Sequence, residues 1–344
     1  MVAPNTSIHR PSYVAILKAK QAELHAVRET RADYFIPLLE VVDPVKVSGI
    51  ARAWPLVAHV AWVQPINRSG MEAQKWAERV VDMFDSLRTA GSAVVPVVTL
   101  DEAEEACLGA RQLITEDRRG MVLRIDCEEV LGRSHADVLA AIKRVLIRCG
   151  CAVTDCDLVI DAGLVDGGAA AQSGAVIAAL AVLPHLMSWR NVVAAFSGFP
   201  KSIATHVEQS TVGAIPRSDA AAFRLLVTRW SERLLTYSDY AVGVPTYADV
   251  PWSPIPNIRY ALREEWLVHR AVTKNNPSPQ YVQLARNVAA APYFAGRNFS
   301  AGDRYIEDVA TGADGPGNPT THLKAAMSRH FHVVLDALAN YGVP

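Results

Sequence analysis

Cysteine is scarce in this chain, at five of 344 residues, and the number is odd. A long chain with so few cysteines is not held together by a disulfide framework. Cys149, Cys151 and Cys156 lie near one another, as thiolate ligands of zinc do, but no second ligand pair follows at zinc-site spacing. We therefore expect free thiols near a helix end and the next strand, and we assign no metal to the chain.

The chain also lacks long apolar runs. No stretch of about 18 residues is free of polar interruption, which a membrane-spanning helix would need. The most apolar run, residues 173–186, is interrupted by Pro184 and His185. The first thirty residues show no signal-peptide sequence of positive, apolar and small residues. These absences predict a soluble, cytoplasmic protein that does not interact with membranes.

Neither sign of charge is in excess. Lysine and arginine number 34, aspartate and glutamate 35, and the net charge is -1. Without a positive surplus or a basic run, direct binding of nucleic acid is not expected. Glycine-rich nucleotide loops, GxSxG and HExxH are absent as well, so the cofactor, if one is used, stays unknown.

What the sequence does contain is a regular alternation of short β-branched runs with longer amphipathic runs. This alternation indicates βα units and a parallel sheet. Eight units in the first part of the chain favour an α/β fold of the (β/α)8 TIM-like barrel type over an open, doubly wound sheet. The predicted strands cover residues 13–19, 34–42, 57–63, 93–100, 121–126, 157–161, 191–196 and 240–244.

Helical spacing of apolar residues fills the intervals between these strands. Residues 71–89 form one such helix, and Asp101 with Glu104 predicts a capping box for the next, which runs to residue 114. Further helices are predicted over residues 134–148, 168–186 and 218–235, with a short one within residues 44–55.

The sequence changes character after about residue 245, where prolines become frequent. Residues 258–271 are interpreted as a strand that passes into a helix, and residues 300–319 as a loop rich in glycine and aspartate. Helices are predicted on either side, over residues 280–290 and 322–340. We therefore divide the chain into a barrel, residues 1–271, and a helical C-terminal extension packed on it, residues 272–344.

Charged residues recur where the predicted strands end, and in a barrel those ends meet on one face. Lys18 and Lys20 share a strand face, Glu40 closes an apolar run, and Asp161 closes another. Such charges need partners or a ligand. We predict Lys20, Glu40 and Asp161 as catalytic residues of an anion-binding pocket. The predicted ligand-binding residues are Lys18, Arg124, Lys201, Asp239, Arg259 and Tyr260. The alternative is a ring of salt bridges that fixes strand register.

Two other groups of residues are candidate sites. Asp126 and Glu128 could join Asp161 around a magnesium ion, although ordinary loop and capping roles are favoured. His330 and His332 differ by two positions on a helix and so point to different faces, which does not make a metal pair.

A series of short segments lies in a fixed order over most of the chain: Tyr13 with Lys18, Lys20 and Glu23; Ile36 to Glu40; Val95 to Thr99; Leu123 and Arg124; Leu158 to Asp161; Ser238 to Ala241; Ile258 to Tyr260 before Trp266; Phe299 to Asp303; Gly317 and Asn318; and the helix with His330 and His332. Taken in order, these segments resemble the Beta protein family of bacterial and phage proteins. The chain departs from the family at two places. The family's third strand usually ends in aspartate, where this chain has Gln64. The family's last helix usually carries adjacent histidines, whereas Phe331 separates His330 from His332 here.

The resemblance implies a component of phage-defence or mobile-element neighbourhoods, sometimes beside a small nuclease-like partner protein. Combined with the charged residues, it predicts binding of a phosphorylated small ligand at the barrel mouth, with hydrolysis as a reaction that such a site could support. The alternative is a non-catalytic scaffold or immunity protein that binds a partner through the C-terminal extension. Its aromatic anchors would be Trp252, Trp266, Tyr281, Tyr293 and Phe294.

Overall fold

Apolar β-branched segments form eight parallel strands that close into a barrel. The protein is represented by a computed structural model, which describes residues 13–30, 34–42, 47–53, 60–163, 167–247 and 254–344. The described strands are β1 (Tyr13–Lys18), β2 (Phe35–Val42), β3 (Ala61–Ile66), β4 (Val94–Thr99), β5 (Met121–Asp126), β6 (Cys156–Asp161), β7 (Asn191–Phe196), β8 (Val212–Pro216), β9 (Thr236–Asp239), β10 (Asn257–Ala261) and β11 (Glu265–Arg270).

Helices follow most of these strands and cover the outside of the barrel. Within the described residues they are α1 (Gln21–Glu29), α2 (Val47–Ala53), α3 (Ala73–Thr89), α4 (Glu104–Asp117), α5 (Cys127–Val130), α6 (His135–Cys149), α7 (Gly168–Val182), α8 (Ser218–Arg229), α9 (Pro277–Ala289), α10 (Ala301–Thr311) and α11 (Pro319–Tyr341).

Each barrel strand pairs in parallel with the next, and β9 closes the barrel between β7 and β1. The closure confirms the predicted (β/α)8 barrel with a helical C-terminal segment and excludes the open sheet. The register places Lys18 opposite Glu40, and Glu40 opposite Gln64. Three polar residues of neighbouring strands are thereby held at one level of the barrel.

The barrel interior is filled by alternate residues of its strands, because successive side chains of a strand point to opposite faces. These interior residues are buried and almost all aliphatic. Toward the C-terminal ends of the strands, the next inward-facing positions are occupied by polar residues. They are Lys18, Glu40, Gln64, Thr99, Arg124 and Asp161.

The other face of each strand packs against the helices and includes the aromatic contact that anchors the C-terminal helix. Phe331 of α11 lies 5.2 Å from the ring of Phe35 and 6.3 Å from that of Tyr13, centroid to centroid. All three rings are buried. Burying such rings together removes a large apolar area from water, so α11 is part of the barrel's outer core.

The prediction for the eighth barrel strand was wrong. The strand is β9, and residues 240–244 leave it in a turn rather than forming a strand. Asp239 causes the change of direction, because its Oδ1 accepts a hydrogen bond from the backbone N–H of Ala241 at 2.9 Å. Ala241 has a φ of 52°, a left-handed conformation incompatible with a continuing strand.

Residues 258–271 also differ from the prediction, since they contain no helix. They form the antiparallel hairpin of β10 and β11, which pairs with β8 to make a separate three-stranded sheet. Trp266 and Val268 are buried at alternate positions, the period of a strand. The short apolar run was ambiguous, and pairing with the distant β8 decides it.

Helix α10 occupies residues that were predicted as a loop. Its start is capped by Ser300, whose Oγ accepts a hydrogen bond from the N–H of Asp303 at 3.0 Å. The capping box predicted at Asp101 is also wrong, because α4 begins at Glu104 with Ala103 in the N-cap position. Two predicted helices end earlier, α7 at Val182 and α8 at Arg229, where the chain becomes extended.

None of the helices in the described ranges combines the length and the hydropathy needed to cross a lipid bilayer.

Close contact between α10 and α11 depends on Gly302. A Cβ at this position would lie 2.1 Å from the backbone oxygen of Ala325, so the helices would have to separate. We predict that Gly302→Ala lowers the free energy of unfolding by about 1–3 kcal/mol, the usual cost of overpacking, as measured by urea denaturation.

The matched control is Gly174→Ala in α7, where an added Cβ meets nothing within 4 Å. Alanine is favoured over glycine inside a helix, so this variant should gain about 0.5–1 kcal/mol. Equal stability of the two variants would contradict the role given to Gly302.

Candidate functional site

Arg124 lies inside the barrel, where strand alternation places it directly above Val122. It is a charged residue in a largely apolar interior, with 12 % of its side chain exposed. Its guanidinium has five N–H donors, and all five have acceptors. Nε donates to Asp161 Oδ2 at 3.0 Å, Nη1 to Glu40 Oε1 at 2.8 Å and Gln64 Oε1 at 2.5 Å, and Nη2 to Asp161 Oδ2 at 2.6 Å and the Tyr240 hydroxyl at 2.5 Å.

The two carboxylates beside Arg124 also have hydrogen-bond donors at both of their oxygens. Both oxygens of Asp161 accept hydrogen bonds, since Tyr240 also donates to Oδ2 and the N–H of Gly163 donates to Oδ1 at 2.8 Å. Glu40 accepts from Arg124 through Oε1 and from the Tyr247 hydroxyl through Oε2 at 2.8 Å. We call Arg124, Glu40, Gln64, Asp161 and Tyr240 the interior cluster.

Electrostatics keep Arg124 protonated. Burial disfavours the charged form of Arg124, but the interactions with Tyr240, Asp161 and Glu40 outweigh it and raise the pKa of the guanidinium well above its ordinary value. One cation therefore faces two carboxylates in a low-dielectric space. Loss of Arg124 or of either carboxylate would leave a buried charge uncompensated, so the charged members stabilise the fold only together.

Above the interior cluster, the barrel mouth opens into a cavity of about 960 Å³. We call it the mouth cavity. Its walls come from β1 and α1, the loops after β7 and β9, β10, and the N-terminal turns of α11. Its charged lining residues are the cations Lys18, Lys20, Lys201, Arg259, Arg270 and Lys274 and the acids Glu23 and Glu40.

The six cations lack acidic partners in the described residues. No carboxylate of the described chain lies within 4.0 Å of any of them, whereas Arg124 and Arg217 both have carboxylates at that distance. Lys18 instead donates to the backbone oxygen of Thr246 and lies 4.6 Å from the centroid of the Tyr247 ring. Burial lowers the pKa of its ammonium group, with Glu40 acting in the opposite direction. The mouth cavity thus collects unpaired positive charge on a chain of net charge -1.

The predicted site residues fall into three groups. Lys18, Lys20, Glu40, Lys201 and Arg259 line the mouth cavity. Arg124 and Asp161 lie just beneath them in the interior cluster, joined to Glu40 by the contacts given above. The remaining two predicted residues, Asp239 and Tyr260, are not part of either region.

Asp239 points to the outside of the barrel. Its Oδ1 accepts from the Tyr13 hydroxyl at 2.6 Å, and its Oδ2 lies 2.8 Å from Nε2 of His330. Trp266 Nε1 donates to the other ring nitrogen of His330 at 3.2 Å, so Nε2 carries the proton and donates to Asp239. Despite burial, the interactions with His330 and Arg217 lower the pKa of the Asp239 carboxyl below its ordinary value. This cluster joins β9 to α11.

Tyr260 is likewise a structural contact of the C-terminal helices. Its hydroxyl donates to Asp303 Oδ1 at 2.8 Å and accepts from the N–H of Ala295 at 2.9 Å. Arg329 stacks on its ring at 4.3 Å and forms an ion pair with Asp303 at 3.2 Å. The side chain is completely buried and does not reach the mouth cavity.

Asp219, Asp239 and His330 are the only group of three residues in the described ranges whose ligand atoms are close enough to share a metal ion. Arg217 already supplies the positive charge there, with Nη2 at 2.8 Å from Asp219 Oδ2 and 3.4 Å from Asp239 Oδ2. Asp126, Glu128 and Asp161 do not form such a group, because Asp126 caps α5 by accepting from the N–H of Glu128 at 2.9 Å. The five cysteines are free and buried.

The aromatic residues predicted to bind a partner are mostly packed inside. Trp266 and Tyr281 are buried, Tyr293 and Phe294 are partly buried against the core of the C-terminal segment, and Trp252 lies outside the described residues. Trp266 stacks on His330 with ring centroids 5.9 Å apart.

Sequence reasoning missed Glu23, Tyr247, Arg270 and Lys274. Glu23 belongs to the same short segment as Lys18 and Lys20, which is the signal that could have identified it. Tyr247 and Lys274 stand in loops with no strand end to mark them. Their position at the barrel mouth depends on how the chain returns after β9 and β11.

Comparison with known proteins identifies a family whose model covers most of the chain. The model of the family described as Beta protein matches residues 13–336, nearly the whole chain. No curated protein matches the sequence.

The interior cluster leads to a prediction about stability. We expect Arg124→Met to lower the free energy of unfolding at pH 8 by about 3–5 kcal/mol, because it leaves buried carboxylates uncompensated. A buried carboxylate without a counter-charge takes up a proton more readily than one in water. The folded variant would then bind protons more readily than its unfolded chain, so the deficit should shrink as the pH falls from 8 to 5.

Denaturant unfolding at the two pH values tests this, with Arg297→Met as the control. Arg297 is 45 % exposed and pairs with Asp308 at 3.0 Å, so its loss should cost about 1 kcal/mol or less at either pH. An Arg124→Met variant no less stable than this control would refute the prediction.

Proposed function

We propose, from the premise that the chain belongs to the Beta protein family, that its barrel mouth binds a phosphorylated small molecule. The single observation that carries this proposal is the set of six cations around the mouth cavity, none paired with a carboxylate of the described residues. Cations crowded on one surface repel one another, and an anionic ligand removes that cost.

The volume and the lining of the mouth cavity suit a small molecule. Cavities of about 300–1,000 Å³ are typical of small-ligand sites, and this one measures about 960 Å³. Apolar residues such as Phe199, Ile255 and Met327 line it together with the cations. A compact anion with an organic body fits this lining better than a long polyanion, which would need a basic stripe on the open surface.

The interior cluster has a supporting role in this proposal. Arg124 has no N–H left for a ligand, and neither Glu40 nor Asp161 has an oxygen without a donor. We infer that the cluster fixes the floor of the mouth cavity and that ligand contact falls to Lys18, Lys20, Lys201 and Arg259. Glu40 and Asp161 then act as positioning residues for Arg124.

The setting in phage defence and the nuclease-like partner stay predictions from the family resemblance. A barrel that binds a phosphorylated ligand would suit a sensing component in such a setting, because ligand binding stabilises the folded barrel by mass action.

The proposal predicts thermal stabilisation by phosphorylated compounds. Pyrophosphate, sugar phosphates and nucleotides are added singly to the full chain, and the melting temperature is measured. A ligand at a hundred times its Kd should stabilise the protein by about 2.7 kcal/mol. Lys201→Ala combined with Lys274→Ala should raise the Kd of the best ligand about ten-fold or more, and the effect should weaken as salt increases.

The matched control combines Lys75→Ala with Lys143→Ala, which removes two exposed lysines of α3 and α6 away from the mouth cavity. This control should bind like the unmodified chain. The proposal fails when no compound of the panel shifts the melting temperature, or when both double variants show the same Kd.

A further inference from the structure

Glu23 is a buried acid at the mouth cavity with no side-chain partner. It stands in the first turn of α1, is 7 % exposed and lines the cavity. Its carboxylate has a hydrogen bond with its own backbone N–H, and among the described residues no side chain donates to it. Its remaining acceptor capacity is therefore directed at whatever occupies the cavity.

Such an arrangement is unfavourable unless a donor reaches the carboxylate. Burial raises the pKa of the Glu23 carboxyl, although its own backbone hydrogen bond and the charges of Lys20, Lys18 and Arg259 act against this. None of these cations lies within 4.0 Å of the carboxylate. A buried acceptor without a donor loses free energy that a hydrogen bond from a ligand would restore.

Arg259 presents the opposite chemistry in the same cavity. Its Nη1 donates to the backbone oxygen of Val242 at 2.8 Å and its Nε to Asn257 Oδ1 at 3.4 Å. Its Nη2 has no hydrogen-bond partner in the described chain. Its guanidinium lies 4.6 Å from the centroid of the Phe199 ring, which holds it in place. Burial lowers the pKa of Arg259 to about 10, so the group stays charged at neutral pH.

A free cationic donor and a free anionic acceptor thus meet at one cavity without pairing with each other. An inorganic phosphate would satisfy Arg259 but would be repelled by Glu23. A ligand that carries hydroxyl groups beside its phosphate would satisfy both residues, because hydroxyls donate to carboxylates.

Resting on the proposed function, we propose that the ligand is a phosphorylated sugar, free or as part of a nucleotide, and that Glu23 selects it. Arg259 holds the phosphate, and the Glu23 carboxylate accepts hydrogen bonds from the sugar hydroxyls. Glu23 is thereby the specificity-determining residue of the mouth cavity. The apolar lining leaves room for a base, so nucleotides and free sugar phosphates are separate arms of the test.

The test uses probes that differ in their hydroxyl groups. Ribose 5-phosphate is compared with methyl phosphate, and ADP with pyrophosphate, by calorimetric titration of the full chain. The unmodified protein should bind ribose 5-phosphate or ADP about ten-fold or more tightly than its hydroxyl-free counterpart, the size expected for a charge-assisted hydrogen bond. Glu23→Met should abolish that preference without weakening methyl phosphate or pyrophosphate. Glu23→Gln, which keeps an acceptor oxygen, should retain part of it.

Glu78→Met is the control, since it removes an exposed negative charge of α3 away from the cavity and should leave the preference unchanged. If Glu23→Met lowered the Kd of ribose 5-phosphate and of methyl phosphate by the same factor, Glu23 would only repel anions. That result would overturn this inference and leave the proposed function standing. Absence of binding by all four probes to the unmodified protein would overturn both.

Discussion

A single arginine inside a barrel of aliphatic side chains needs hydrogen-bond acceptors, and this need determines which residues lie at the barrel mouth. Arg124 is desolvated, so each of its five donors must find an acceptor. The acceptors come from β2, β3 and β6 and from the turn after β9, segments far apart in the sequence. The strands can satisfy Arg124 only in one register, because a shift by one residue would turn every acceptor to the outside. The interior cluster is therefore both an electrostatic unit and a device that fixes how the barrel closes.

This arrangement explains why the mouth cavity is positive although the chain is not. Glu40, which lines the cavity, and Asp161, which lies beneath it, both pair with Arg124, and Glu40 also accepts a hydrogen bond from Tyr247. The cations above them have no carboxylate partner in the described chain. A site that binds an anion needs such a separation, because carboxylates free to pair with Lys18 or Lys201 would compete with the ligand.

The C-terminal segment contributes to the site through buried polar contacts on the outside of the barrel. His330 binds Asp239 at the end of β9, and Arg329 binds Asp303 and the backbone oxygen of Ala261. These contacts hold α11 and the hairpin of β10 and β11 against the barrel, and the hairpin carries Arg259 to the cavity. The proposed ligand site is consequently shared between the barrel and the segment that follows it.

The sequence by itself determined the barrel and most of the interior cluster, because a residue's face on a strand follows from its parity. The positions of Glu40, Arg124 and Asp161 depend only on local alternation in strands whose apolar runs are unmistakable. Only the tertiary structure decided the place of Asp239. Residues 240–244 have the composition of a strand, but the barrel strand is β9, which ends at Asp239. The alternation along β9 turns the Asp239 side chain outward.

The same limit applies to Glu23, Tyr247 and Lys274. Their chemistry depends on which segments of the folded chain surround the mouth, and short apolar runs such as residues 258–271 become strands only by pairing with a distant partner. Local pattern fixes which way a side chain points, whereas long-range pairing and packing fix what it meets.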